Sequence, residues 1–228
     1  MSSTERPQLR WEPVARVCFA ILGTLALLGC LLSLRNGWLT ESTLMEGAGF
    51  HHIFPAGWPH LANQPMYFTF MSNALVALTG WTLALRPRAS SALFHVLHLC
   101  GLVCIIITGV VFNLLLRSDD PMTPLQRFHD GVQHIATPIL APLFWLVFGP
   151  RGRVSWRRIG LASIIPIAWL VVTMIRGAIL DWYPYGILDV PKLGYAGVSV
   201  WVVSILAFYF LVAGVLWWVD RGRAPRPR

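Results

Sequence analysis

The run ALFHVLHLCGLVCIIITGVVFNLLL, residues 92–116, decides the class of fold. It holds no Asp, Glu, Lys or Arg, and a helix through it, rising about 1.5 Å per residue, is long enough to cross the roughly 30 Å hydrocarbon core of a bilayer. Runs of the same character occupy residues 14–34, 67–85, 132–148, 159–180 and 196–219. Arg16 stands at the edge of the first, and Arg176, near the end of the fifth, is the one charge set well inside a run. The 228-residue chain is 56% hydrophobic and only 12% charged, with mean hydropathy +0.61, whereas soluble domains carry about 25% charged residues. The expectation is an all-α polytopic integral membrane protein: a single six-transmembrane-helix bundle covering residues 1–228.

The basic residues orient it. Thirteen of them flank one side: Arg6, Arg10 and Arg16; Arg86 and Arg88; Arg151, Arg153, Arg157 and Arg158; and Arg221, Arg223, Arg226 and Arg228. The other side has Arg35, Arg117, Arg127 and Lys192, together with the acidic Glu41, Glu46, Asp119, Asp120, Asp130, Asp181 and Asp189. The positive-inside rule puts both termini in the cytoplasm and the chain in the cell membrane. The net charge of +8 then reflects contact with anionic lipid headgroups and implies no nucleic-acid partner. The short basic connections, Arg86-Pro87-Arg88 and Gly149-Pro150-Arg151-Gly152-Arg153, read as tight turns anchored to those headgroups. All four cysteines fall inside apolar runs, which speaks against a disulfide framework. Leu27-Leu28-Gly29-Cys30 faintly resembles a lipoprotein cleavage site, but the apolar run continues through Leu34 and reads as an uncleaved first helix.

On the acidic side, two connections are long. Residues 35–66, rich in Gly, Pro and His, form a candidate lid, and residues 117–131 contain the turn Asp119-Asp120-Pro121. The second span opens Tyr67-Phe68-Thr69-Phe70-Met71-Ser72-Asn73, which sets Thr69, Ser72 and Asn73 on one helix face, either as a polar seam between helices or as part of a site. The fourth opens with Asp130, Gln133, His134 and Thr137 before Pro138. Asp130 and His134, four apart, form a carboxylate–imidazole pair that sets the tautomer, with His134 at the depth of Thr69; the plainer alternative is an interfacial histidine bonded to water or backbone. Arg176 precedes Asp181-Trp182-Tyr183-Pro184-Tyr185; it binds a ligand carboxylate, neutralises Asp181 or snorkels outward, and the aromatic run doubles as an interfacial belt. Asn113 supplies another donor at this level.

Other chemistries fit poorly. His95 and His98 lie at the opposite end from His134, so one haem does not join them. His51, His52 and His60 lack metal-ligand spacing, and Gly197-Val198-Ser199 lacks the second glycine of a nucleophile elbow. No metal or other cofactor is expected.

Phe68-Thr69-Phe70 with Ser72-Asn73, His134 with Pro138, the turn Phe148-Gly149-Pro150-Arg151-Gly152, and Arg176-Gly177 leading to Trp182-Tyr183-Pro184-Tyr185 and Asp189 together resemble the bacterial six-transmembrane Pr6Pr membrane proteins over nearly the whole chain. More distantly, the chain is similar to the androgen-induced-gene-1 and androgen-dependent TFPI-regulating proteins, which hydrolyse fatty acid esters of hydroxy fatty acids with a membrane-embedded threonine and histidine. That likeness rests on the topology, the Phe-Thr-Phe step, the histidine and the aromatic-Tyr-Pro turn; the proline after the histidine is offset by one position. The resemblance implies a lipid-ester hydrolase in which Thr69 attacks the ester and His134 is its base. Around that pair the residues suggest Asp130 to orient His134, Asn73 or Asn113 to hold the oxyanion, and Arg176 to grip a substrate carboxylate, with Ser72, Asp181 and Tyr183 completing the substrate side. Membrane lipids and an amphiphilic lipid ester would be the partners. A non-catalytic protein that binds or transports an acidic amphiphile through Arg176 is the alternative.

Overall fold

The computed structural model describes residues 6–117 and 121–223, with side chains from 12 to 222. Asp119, Asp120, Arg226 and Arg228 lie outside the described residues, and the side chains of Arg6, Arg10 and Arg223 are likewise not described. The described residues are predominantly helical, with no strand among them. In order come α1 (Arg6–Leu39), the short α2 (Trp58–Asn63), α3 (Phe68–Leu85), α4 (Ala92–Val111), α5 (Pro124–Gly131), α6 (Thr137–Phe148), α7 (Trp156–Leu180) and α8 (Val190–Arg223). A π-helical turn, Phe112–Leu116, prolongs α4, and a second, Val132–Ala136, joins α5 to α6. Six helical segments are long and apolar enough to cross a membrane: Glu12–Leu39, Phe68–Leu85, Ala92–Leu116, Pro124–Phe148, Trp156–Leu180 and Val190–Gly222. The protein is a multi-pass membrane helix bundle.

Most segments run past the apolar stretches that announce them, because helix termini follow caps, not hydropathy. The Thr123 hydroxyl accepts from the Gln126 amide, the Gln126 side chain answers to the Thr123 amide, and Pro124 takes the first turn, so the fourth segment starts at 124 and not 132. Asp130 is therefore on a helix and not in a connection. Ser155 caps α7 and Ser91 caps α4 in the same way. α8 bends at Gly194, whose φ is 66°.

α4 is the hub, packed against α3, α6, α7 and α8, with Cys100, Val103, Cys104 and Ile105 fully buried. α1 lies along α3, where a Cβ on Gly80 would stand 3.2 Å from the Cα of Gly23; without side chains at this crossing the backbones approach closely, the usual basis of helix association in lipid. Leu114, Ile179 and Trp218 project outward, more than 70% exposed, as a lipid-facing surface requires.

At the end where α1 begins and α8 finishes, basic and acidic side chains close helix ends and turns. Arg151 donates to the carbonyls of Trp145 (3.0 Å) and Val147 (3.1 Å), closing the C-terminus of α6, and Arg16 donates to the Ala84 carbonyl (2.8 Å) near the end of α3. Asp220, 1% exposed, accepts from the Gly152 and Val154 amides. At the opposite end the 40–57 connection folds inward. Phe50 and Phe54 pack against Trp182, Tyr183 and Leu188, the Gly49 amide donates to Asp189 (2.7 Å), and the His51 amide donates to Asp181 (3.0 Å).

Candidate active site

Thr69 occupies the first turn of α3, where helical amide N–H groups have no carbonyl partner within the helix. Its amide donates to the Tyr185 hydroxyl (3.3 Å). Its carbonyl accepts from Ser72 (3.0 Å) and from the Asn73 amide nitrogen (2.9 Å), and Ser72 also bonds Thr108 (2.9 Å) while Asn73 accepts from Thr137 (2.8 Å). Ser72 and Asn73 are both fully buried in these contacts. The polar face on α3 is thus divided: Ser72 and Asn73 form an interhelical seam that fixes the Thr69 backbone, and the Thr69 hydroxyl remains for other work.

That hydroxyl stands 3.3 Å from His134 Nε2, and His134 Nδ1 stands 2.8 Å from Asp130 Oδ1. With the carboxylate accepting at Nδ1, the proton sits there and Nε2 presents a lone pair to the threonine O–H. The second Asp130 oxygen meets Arg117 at 3.4 Å. The i, i+4 pairing of Asp130 and His134 is kept although the π turn begins between them. Phe112 lies parallel to the His134 ring, and Asn113, in the facing π turn, donates to the His134 carbonyl (2.8 Å) and the Gly109 carbonyl (2.7 Å) while accepting from Arg117 (2.6 Å).

Thr69 and Tyr185 open onto a cavity of about 330 Å³ enclosed by α3, α4, α7, α8 and the Tyr185–Leu188 segment. Ile107, Val111, Phe112, Pro166, Leu170 and Val202 make its wall, and the polar side chains along it are the hydroxyls of Thr69, Thr108, Ser163, Tyr185 and Tyr209 and the indole of Trp169, which donates to the Met66 carbonyl. His134 is outside the lining, behind Thr69 and Phe112. Burial raises the Tyr185 pKa above its ordinary value, more than the Thr69 and Phe68 hydrogen bonds lower it, so the phenol is a neutral donor at physiological pH.

The other expected site residues have partners of their own. Arg176 pairs with neither Asp181 nor Asp189: it donates to Asn63 (2.9 Å) and lies over the rings of Phe54 (5.6 Å) and Trp182 (5.8 Å). It does not line the cavity either, because Trp182, Tyr67 and Tyr185, in successive edge-to-face contact, stand along the intervening path. Asp181 is taken by His51, and Asp189 by Gly49 and Lys192. Tyr183 is buried under the 40–57 connection against Phe50. Asn113 spends both amide protons on the Gly109 and His134 carbonyls, and Asn73, which gives one to the Thr69 carbonyl, is fully buried outside the cavity lining. Tyr185, two residues beyond Tyr183, is the tyrosine that reaches Thr69. Its signal in the sequence was the Tyr-Pro-Tyr step, which equally describes an interfacial belt. Among the described residues no group of three His, Cys, Asp or Glu side chains is placed to hold a metal ion.

Comparison with protein-family models, curated proteins and solved structures finds no match for this chain.

Proposed function

We propose that this protein is an intramembrane lipid-ester hydrolase with a threonine nucleophile. The observation that carries the reading is the continuous chain Asp130–His134–Thr69, ending at the wall of a nearly apolar cavity. A threonine hydroxyl is a weak nucleophile unless a base removes its proton, and an oriented imidazole at 3.3 Å is such a base. Thr69 Oγ1 attacks the ester carbonyl as its proton passes to His134 Nε2, and the imidazolium is stabilised by Asp130. The tetrahedral oxyanion accepts from the Tyr185 hydroxyl, which stands 3.5 Å from Thr69 Oγ1, is held by the Thr69 amide, and turns its proton from Thr69 Oγ1 to the oxyanion. The α3 N-terminus adds a favourable dipole. His134 then protonates the leaving alcohol, and a water deprotonated by the same imidazole releases the acid from the acyl-threonine. Arg117, at the exposed rim beside Asp130, marks the side from which that water arrives.

The acyl chain lies in the cavity between α4, α7 and α8 and enters from the bilayer. The resemblance to the six-transmembrane hydrolases of fatty acid esters of hydroxy fatty acids belongs to the same proposal, as do a cell-membrane location, cytoplasmic termini and an active site facing the outer leaflet. The test is labelling of purified protein by a long-chain fluorophosphonate, with hydrolysis of a long-chain fluorogenic ester measured in parallel. Labelling and turnover that vanish together in Thr69→Ala support the reading; neither activity in the unmodified protein, or either one surviving in Thr69→Ala, sinks it.

A further inference from the structure

Arg176 belongs to the membrane span of α7 and has no carboxylate partner among the described residues. Its hydrogen bond goes to Asn63, which is neutral and fully buried, and its guanidinium lies over the rings of Phe54 and Trp182. The carboxylates that follow it in the chain are engaged elsewhere. Asp181 accepts from the His51 amide and meets the His51 ring, and Asp189 accepts from the Gly49 and Lys192 amides. A guanidinium carries five N–H donors, so Asn63 leaves most of them unused. Arg176 is only half-buried, and none of its nitrogens is both unpartnered and sealed from the surface.

Depth and direction both point to lipid. From the exposed Trp156, which packs against Trp217 at the basic end, α7 rises about 30 Å to Arg176 at 1.5 Å per residue, the thickness of a hydrocarbon core. At the level of Arg176, Asn63 ends the short helix that begins at the exposed Trp58, itself edge to face with Trp38 at 5.4 Å. Tryptophans of this kind gather where hydrocarbon gives way to headgroups. Along α7, the neighbours of Arg176 one turn before and one turn after are Val172 and Ile179, both exposed as a lipid-facing surface requires. The arginine thus stands beside a lipid-facing stripe at the height of the phosphates.

An arginine within a membrane span is costly without an anion, and a planar fork of donors matches a pair of phosphate oxygens. An arginine that merely snorkels keeps a mobile head in water, whereas Asn63 and two rings fix this one. We infer that Arg176 is a phospholipid-binding residue: its free N–H groups donate to the phosphate of a lipid in the leaflet on the Thr69 side, with one acyl chain of that lipid along Val172 and Ile179. Asn63 is the positioning residue. Its amide oxygen holds the guanidinium as a carboxylate would but leaves the charge for the lipid. The site lies apart from the cavity and does not depend on the hydrolase reading; its lipid is bound and not cleaved.

The experiment places a bimane fluorophore at Ile179→Cys in a cysteine-free background, one turn from Arg176, and titrates the purified protein in dodecyl maltoside micelles with lipids that carry a nitroxide quencher near the glycerol end of one acyl chain. Phosphatidylcholine should reach half-maximal quenching at a mole fraction about tenfold or more below that of a diacylglycerol with the same chains, the range of a hydrogen bond to a charged group. Arg176→Gln should erase the difference between the two lipids. Asn63→Asp gives the guanidinium a carboxylate of its own and should erase it too, with thermal stability equal to or above that of the parent, which separates loss of the site from loss of the fold. Inorganic phosphate at millimolar concentration should leave the phosphatidylcholine curve in place. Equal quenching by the two lipids in the parent protein overturns the inference, as does a preference that survives in a folded form of either variant; displacement by inorganic phosphate would make the site one for a free anion and overturn the assignment to lipid.

Discussion

Phe112 lies flat on the imidazole of His134, with ring centroids 3.4 Å apart and planes 5° from parallel. Both residues belong to π-helical turns, and the same pair of turns is tied by the Asn113 side chain to the His134 carbonyl. A π turn widens the helix and leaves backbone carbonyls in search of donors, and such turns gather at functional sites. Here they set one face of the imidazole against an aromatic wall and leave its two nitrogens to Asp130 and Thr69. Phe112→Ala should therefore loosen the ring without removing any reacting group. The expected result is a fall in kcat of about tenfold or more with little change in KM, since misplacing a catalytic group is expensive in rate; an unchanged kcat would show that the stacking does not position His134.

Replacing His134 by Ala removes the proposed base and should lower kcat by about 10²–10⁴-fold while the bundle stays folded. Steady-state kinetics on the fluorogenic ester and a thermal melt check both halves. Loss of folding with no specific kinetic defect would assign His134 to the scaffold.

Asp130→Asn should be nearly as damaging to kcat as loss of the base, because an amide in place of the carboxylate neither holds the proton at Nδ1 nor stabilises the imidazolium. KM should change little, as Asp130 lies behind His134 and outside the cavity lining. Turnover within threefold of the unmodified protein would contradict an orienting role.

Arg176→Gln removes a charged hydrogen bond to Asn63 and two cation–π contacts. It should lower stability by about 1–3 kcal/mol, and the loss of rate should be the same for neutral and carboxylate-bearing esters. A KM that rises only for the acidic esters would restore the carboxylate clamp and place substrate against Arg176.

Burial raises the pKa of Tyr67, Tyr183 and Tyr185, all at the end of the bundle that holds Thr69. A group whose folded pKa exceeds its unfolded value favours the folded state below the unfolded pKa, and that contribution is lost as pH rises through the folded one. The melting temperature should thus be insensitive to these groups up to about pH 10 and fall above it. Tyr185→Phe should flatten part of that fall; an identical alkaline profile in the variant would exclude Tyr185 as a contributor.

Topology is testable with single cysteines in a cysteine-free background. Asn63 is unsuited as a reporter because it is fully buried against Arg176, whereas Glu46 and Arg153 are exposed on opposite ends. Glu46→Cys should react with a membrane-impermeant maleimide on intact cells and Arg153→Cys only after lysis, as the excess of arginine beside Arg153 requires. The reverse pattern would invert the protein.

The class of fold was legible because the bilayer admits few solutions. Runs such as 92–116 have to be helices, and their number and the basic residues between them follow from the sequence alone. Thr69, His134 and Asp130 were legible for a related reason: depth in a membrane helix is proportional to residue number, and i, i+4 spacing sets Asp130 beside His134. Lateral position has no such one-dimensional record. Which face of α7 meets which neighbour determines whether Arg176 reaches a carboxylate or Asn63, and the path of the chain from Asp181 to Asp189 determines whether Tyr183 or Tyr185 turns toward Thr69. Asn73 and Asn113 were candidates while their partners were unknown, and became seam residues once Thr137 and the His134 carbonyl stood beside them. Hydropathy and spacing determined the helices and their depth; side-chain packing between segments distant in sequence decided which polar groups were already satisfied, and so which were left for chemistry.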